Sequence, residues 1–296
     1  MIKQEINELK RLYTPSNCSI TRICGCYVDG EKNKKTEFKE AFLSLPEEEI
    51  FKYFELLRKT LSGSLGKNLL NLDFPLASEQ EGGTQAALLA LRDSKLKDDA
   101  LIEEFYDRVI NTYEYVGNYL ILLIHDAYDV PGKTTDGLTM DDASDTVFEY
   151  IMCCICPVNL SKPGLSYDNI NNEFHNRIRD WVVEMPETGF LFPSFNDRAT
   201  DIHSTLFYSK NPEEAHSEFV ENILGCTMPL SAGTQKEAFQ ALIEETLGNE
   251  VEYEVVKNIH ENLTEMIEEH KEIPEPLTLD KNQVKELRSI FDNDKQ

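Results

Sequence analysis

The sequence predicts an α+β protein: a mixed or antiparallel central sheet with flanking helices over residues 1–210, followed by a helical region over residues 211–296. Three observations carry this. The aliphatic run Leu120 to Ile124, bounded by Gly117-Asn118 and Pro131-Gly132, is too short to cross a membrane and has no helical polar stripe, so it reads as a strand buried on both faces. A second apolar run, Val147 to Val158, should lie beside it. After Asn211 the pattern changes to capping residues followed by apolar residues at helical spacing.

Taken in order, Ile2, Ile6 and Leu9 predict a short amphipathic helix to about Leu12, and Pro15 ends it. Cys18 to Val28, closed by Asp29-Gly30, reads as a strand entering a turn. Ser44-Leu45-Pro46-Glu47 has capping-box spacing, so a helix is expected with Ile50, Phe51, Phe54, Leu57 and Leu61 on its inner face. The glycines between Ser62 and Leu72 have the wrong spacing for a phosphate loop, and no Ser or Thr follows Lys67. Glu81-Gly82-Gly83-Thr84 starts a helix through Leu91, and Asp98 or Asp99 another, with Ile102, Phe105, Val109 and Tyr113 inward. Val130 to Asp145 is a polar loop. Its acids, Asp136, Asp141, Asp142 and Asp145, lack the spacing of a calcium loop.

Asn159 to Asn172 reads as a loop, and Phe174 to Trp181 holds Arg177, Arg179 and the only tryptophan. Gly189 to Phe195 and Ile202 to Tyr208 are expected strands. Asn211-Pro212 should cap a helix carrying Phe219, Val220, Ile223 and Leu224 before Gly225. Further helices are expected from Thr234, across Val256 to Met266, and from Asp280.

The 296 residues, 41% hydrophobic and 28% charged, suit a soluble globular chain that buries a sizeable core. No apolar run approaches the ~20 residues of a spanning helix, and charge stands where a signal peptide would be apolar, so a cytoplasmic protein without membrane contact is expected. The seven cysteines are an odd number, and five sit in strand-like runs, so they are expected as reduced thiols. The net charge of -25 opposes binding to phosphate backbones. Sixteen Glu stand against three Lys between Pro212 and Pro276, a net of -13 that is either a solvated set of helices or a docking surface for a basic partner.

Chemistry-bearing residues form two candidate sets. His125 and Asp129 share one strand side, and Asp201, His203 and Thr205 another, so His125, Asp129, Asp201 and His203 could form a metal or acid–base site if the strands approach. Without such convergence each His is a hydrogen-bonded strand-end residue. Cys24 and Cys26 project to one side, as do Cys154 and Cys156, which would give a four-sulfur site on adjacent strands, although such runs are core-like and lack knuckle turns. Cys18, in a more polar setting, is the more exposed thiol. Motifs for hydride transfer, phosphate loops and acyl nucleophiles are missing, so no cofactor is expected.

The stretches Thr21 to Lys32, Tyr119 to Pro131, Cys153 to Ser161 and Asn176 to Trp181 resemble domain-of-unknown-function family 4317, a family of uncharacterised Firmicutes proteins, over nearly the whole chain. That resemblance implies no activity and transfers no catalytic residue. It implies members longer than this chain, so a short member or a truncation is expected. The order of elements is also similar to the nucleoid-associated 37-kilodalton protein family. From these readings the expected function is a non-enzymatic interaction protein, nucleoid-associated, with a basic or DNA-associated protein partner and self-association. The alternatives are a metal-dependent hydrolase using the His/Asp set and an acidic mimic of nucleic acid.

Overall fold

A computed structural model describes residues 1–133, 139–140, 146–213 and 216–229. Met1–Met228 form one compact unit, and the chain continues as a second, Pro229–Gln296. The helices expected beyond Pro229 and the acids Asp136, Asp141, Asp142 and Asp145 lie outside the described residues.

The elements in order are α1 (Lys3–Leu12), β1 (Ile20–Val28), β2 (Lys34–Ala41), α2 (Glu47–Thr60), β3 (Leu69–Asp73), α3 (Thr84–Asp93), α4 (Asp99–Thr112), β4 (Asn118–Asp129), β5 (Gly132–Lys133), β6 (Thr139–Met140), β7 (Val147–Leu160), β8 (Leu165–Asp168), β9 (Glu173–Asn176), β10 (Trp181–Val183), β11 (Thr188–Phe192), β12 (Ser194–Asn196), β13 (Ala199–Asp201), β14 (Ser204–Ser209) and α5 (Ser217–Phe219), which runs into a wider turn at Val220–Leu224. An eight-stranded sheet orders them β2-β1-β4-β7-β11-β14-β3, with β10 added to β7, and every pairing is antiparallel. The expected α+β architecture with an antiparallel sheet is therefore present.

The two apolar runs pair along their length, from Asn118 opposite Val158 to Asp129 opposite Val147. Alternation sends their side chains to opposite faces. Leu122, Ile124, Met152 and Cys154 pack with Leu9, Leu12, Phe54 and Leu57 of α1 and α2. Ile121, Leu123, Cys153 and Ile155 pack with Leu88, Leu91, Ile102, Phe105 and Val109 of α3 and α4. The sheet is thus a middle layer, and Tyr119–Ile124 and Tyr150–Val158 are unbroken apolar runs because neither face meets water there.

The flanking elements show which local signals held. Asp98 caps α4, its side chain accepting from the Ala100 and Leu101 amides. Phe219, Val220, Ile223 and Leu224 are buried before Gly225, which takes φ +72° and whose missing Cβ would meet Thr84 Oγ1 at 2.0 Å. Asn211 accepts from the Glu213 amide, yet the helix starts at Ser217.

Ser44 does not cap α2. It ends a tight turn, Phe42–Ser44, that drives Phe42 into the core, and its hydroxyl donates instead to Ala41 O at 2.7 Å. The inner face of α2 is correspondingly rotated to Phe54, Leu56, Leu57 and Thr60, leaving Phe51 exposed. The expected strand Gly189–Phe195 is split after Phe192 by Pro193, which has no N–H for the ladder. The edge strands β2 and β3 are, respectively, charged and five residues long, features that discourage pairing with another chain.

Gly189 crosses β7 so closely that an added Cβ would stand 2.3 Å from Cys153 O and 2.9 Å from Thr60 Cγ2. Gly189→Ala is therefore expected to cost about 3 kcal/mol through overpacking of the sheet. Urea unfolding measures this, and an unchanged midpoint would contradict the close approach.

Candidate interaction surface

At the end of the sheet where β7 finishes, the pairing does not stop. Trp181, Val182 and Val183 stand opposite Leu160, Asn159 and Val158. Beyond them Ser161 N donates to Asp180 O, Arg177 N donates to Gly164 O, and β8 pairs with β9 from Leu165–Asn176 to Asp168–Glu173. The result is one continuous two-stranded ribbon that carries the chain past the sheet as an arm. Its tip is set by local chemistry. Asp168 Oδ1 accepts from the Ile170 and Asn171 amides, and Asn172 takes φ +54°, the left-handed region that asparagine tolerates.

The ribbon is amphipathic. By register Leu165, Tyr167 and Phe174 share one face, and Ser166, Asp168, Glu173 and His175 the other. The Tyr167 and Phe174 rings lie 5.2 Å apart. Among the described residues no helix covers them: Leu165 and Phe174 are each 73% exposed, Ile170 89%, Ile178 78% and Trp181 55%. Among the described residues, ten of the sixteen exposed large hydrophobics fall between Leu160 and Met185, which makes this a concentrated patch and not the scatter of a normal surface. A bare two-stranded ribbon is marginal in water, so a covered apolar face is what would make it stable. The sequence reading placed a loop over most of this arm. The alternating Leu165-Ser166-Tyr167 and Phe174-His175-Asn176 around an Asp/Asn-rich turn is the hairpin signal that marks it.

The expected chemical sets are placed elsewhere. His125 is fully buried and directly opposite Arg22 and Ile151, with Thr21 Oγ1 at 2.7 Å from its Nδ1 and Glu149 Oε2 at 4.0 Å from its Nε2. Burial pushes it down to about 4, against the pull of Glu149, which is itself held by Lys95 at 2.9 Å. Asp129 is exposed at the end of β4. Asp201 accepts from Asn196 and Ser204, while exposed His203 pairs with Glu79 at 2.7 Å. Strands β7 and β11 intervene between β4 and β14, so His125 and His203 stand in separate neighbourhoods.

The cysteine set is also divided. Strand β4 lies between β1 and β7, and Cys24 and Cys26 pack in the α3–α4 core while Cys154 and Cys156 pack in the α1–α2 core. Burial raises all four thiols, as it raises half-buried Cys18 to about 11. Among the described residues no three His, Cys, Asp or Glu are grouped to hold a metal ion. No described helix is long and apolar enough to cross a membrane.

One buried polar network belongs to neither set. Asp126, on the α1–α2 face of β4, accepts from the Tyr150 hydroxyl at 2.6 Å, and Tyr150 is 3.0 Å from the Tyr13 hydroxyl. Asp126 Oδ1 is buried without a well-formed partner, and the nearby Ser19 and Ala127 groups only temper the effect of burial, which raises its pKa.

These features define an α+β domain with a three-layer core and a projecting apolar ribbon. The chain belongs to the family described as Domain of unknown function (DUF4317), whose model it matches over residues 1–289. No curated protein and no solved structure matches it.

Because the raised Asp126 carboxyl holds its proton better folded than unfolded, it costs stability as pH rises from the ordinary value of 3.8 through its raised value. Asp126→Asn keeps an acceptor for Tyr150 and removes that cost. The melting temperature of the variant should therefore gain on wild type as pH climbs through this window. A difference that is constant with pH would contradict the assignment.

Proposed function

We propose that this protein is a non-enzymatic interaction protein that acts through protein–protein contacts made by the arm of residues 160–185. The observation that carries the reading is the uncovered apolar face of the β8–β9 ribbon, joined to a rigid sheet whose two true edges are charged or short. An arm of this kind costs stability unless something covers it. The burial of His125 against Thr21, and the pairing of exposed His203 with Glu79 in a separate part of the sheet, favour this reading over a metal-dependent hydrolase. A place beside the nucleoid, reached through a basic DNA-associated partner, fits the excess of Glu between Pro212 and Pro276, which opposes direct contact with phosphates.

The test is site-specific photocrosslinking in the producing cell. A photoreactive residue at Ile170, on the arm, should give discrete higher-mass adducts that Leu165→Asp with Phe174→Asp removes. The same probe at Val116, fully exposed elsewhere, should give none. Equal adducts from both positions, or none from Ile170, would remove the arm from consideration.

A further inference from the structure

The second face of the ribbon has a different chemistry. It carries Ser166 and His175 behind Leu165, Tyr167 and Phe174, and alternation from His175 adds Arg177 and Arg179. Lys162 stands across from Arg179, between the Ser161–Asp180 and Gly164–Arg177 pairs. Trp181, opposite Leu160, continues this face toward the sheet, while Asp180 belongs to the apolar side. The chain has 54 carboxylates against 29 cations, yet Lys162, Arg177 and Arg179 are exposed and have no ion-pair partner among the described residues. Lys34, Lys39, Arg108 and Arg198 each have one. Arg179 is also held in place. Its Nε donates to Ser161 O at 2.7 Å and the Asp180 amide donates to Ser161 Oγ at 3.1 Å, which leaves the terminal guanidinium nitrogens free of protein partners among the described residues. Beside it the half-exposed Trp181 indole offers a flat apolar surface.

We propose that this face binds single-stranded nucleic acid, with phosphates on Lys162, Arg177 and Arg179 and a base stacked on Trp181. A row of cations that tracks an extended backbone, with an aromatic plane beside it, is what such a ligand needs. An acidic peptide would use the cations but has no ring to lay on the indole. A duplex would bring two charged strands toward an acidic body, whereas one strand can follow the ribbon alone. The net charge of -25 limits this contact without preventing it. Fields decay over about 8 Å at physiological salt, and Arg177, paired with Gly164, stands four residues or roughly 13 Å beyond the end of β7. Asp168 and Glu173 close the stretch at the tip, so about three phosphates are engaged. The contact uses the face opposite the one proposed for a protein partner and does not depend on it.

The experiment is titration of the purified full chain with an oligothymidylate of about twelve nucleotides. A labelled copy is read by anisotropy and an unlabelled one by the emission of Trp181, the only tryptophan. Binding at low salt should quench the indole, and the logarithm of affinity should fall against that of salt with a slope of about -2, the value for three phosphates on a single strand. Arg177→Gln with Arg179→Gln should weaken binding roughly tenfold and flatten the slope to about -0.7. Trp181→Ala should weaken it about tenfold at unchanged slope, because it removes stacking and no charge. Polyglutamate of similar length should bind more weakly and take no notice of Trp181→Ala. An unquenched indole, a slope near zero, indifference to either variant, or polyglutamate bound as tightly would each overturn the proposal. None of these results touches the apolar face, which the Ile170 adducts report, and loss of those adducts would leave the oligonucleotide result standing.

Discussion

The pairing of β4 with β7 is the constraint on which the rest of the molecule depends. Twelve register positions, from Asn118–Val158 to Asp129–Val147, join two strands whose central side chains, Tyr119–Asp126 and Tyr150–Val158, are buried on both faces. Burying apolar area is the dominant favourable term in folding, and here one backbone ladder serves two cores at once. Helices α1 and α2 must lie on one side and α3 and α4 on the other, because each strand offers water-excluding side chains in both directions. The outer strands then tolerate charge, since only the centre of the sheet is closed on both faces.

The same pairing explains the arm. β7 runs on past the start of β4, and its return strand, interrupted between β10 and β11 but still bonded through Glu184 N to Pro157 O and Glu187 N to Ile155 O, keeps the ladder intact to the end. The ribbon is therefore a continuation of the central ladder and not a loop attached to it. A surface held on such a base is presented in one orientation, which lowers the ordering cost of association. Among the described residues, most of the exposed large apolar side chains are gathered on this extension.

How much of this was legible in the sequence follows from how far each signal was local. Leu120 to Ile124 and Val147 to Val158 were readable because burial on both faces leaves an uninterrupted apolar run, and α4 because Asp98 supplies its own cap. Ser44 misled, since its spacing to Glu47 matches a capping box while the turn that buries Phe42 decides where its hydroxyl goes. β2 and β3 gave no signal: Lys34–Ala41 is dominated by charge and Leu69–Asp73 by mixed polarity, both consistent with an edge and neither typical of a strand. For the candidate sites, the face of each side chain was legible but the order of strands was not. Cys24 and Cys154 could be drawn together only while β1 and β7 were imagined as neighbours, and β4 separates them. The arm was hidden for a different reason, because its Pro163-Gly164 break and Asn-rich tip look like loop punctuation and its apolar residues alternate with polar ones over only a few positions.

The central claim is that the apolar face of the arm is covered when the protein is at work. Amide hydrogen exchange of Leu165–Asn176, compared between the purified chain at high dilution and the same chain in a lysate of the producing cell, tests it most directly, since an uncovered ribbon opens easily and a covered one does not. The account predicts fast exchange in the diluted chain and protection in the lysate, with β4 and β7 slow in both. Exchange in the arm that is equally fast in both would contradict it.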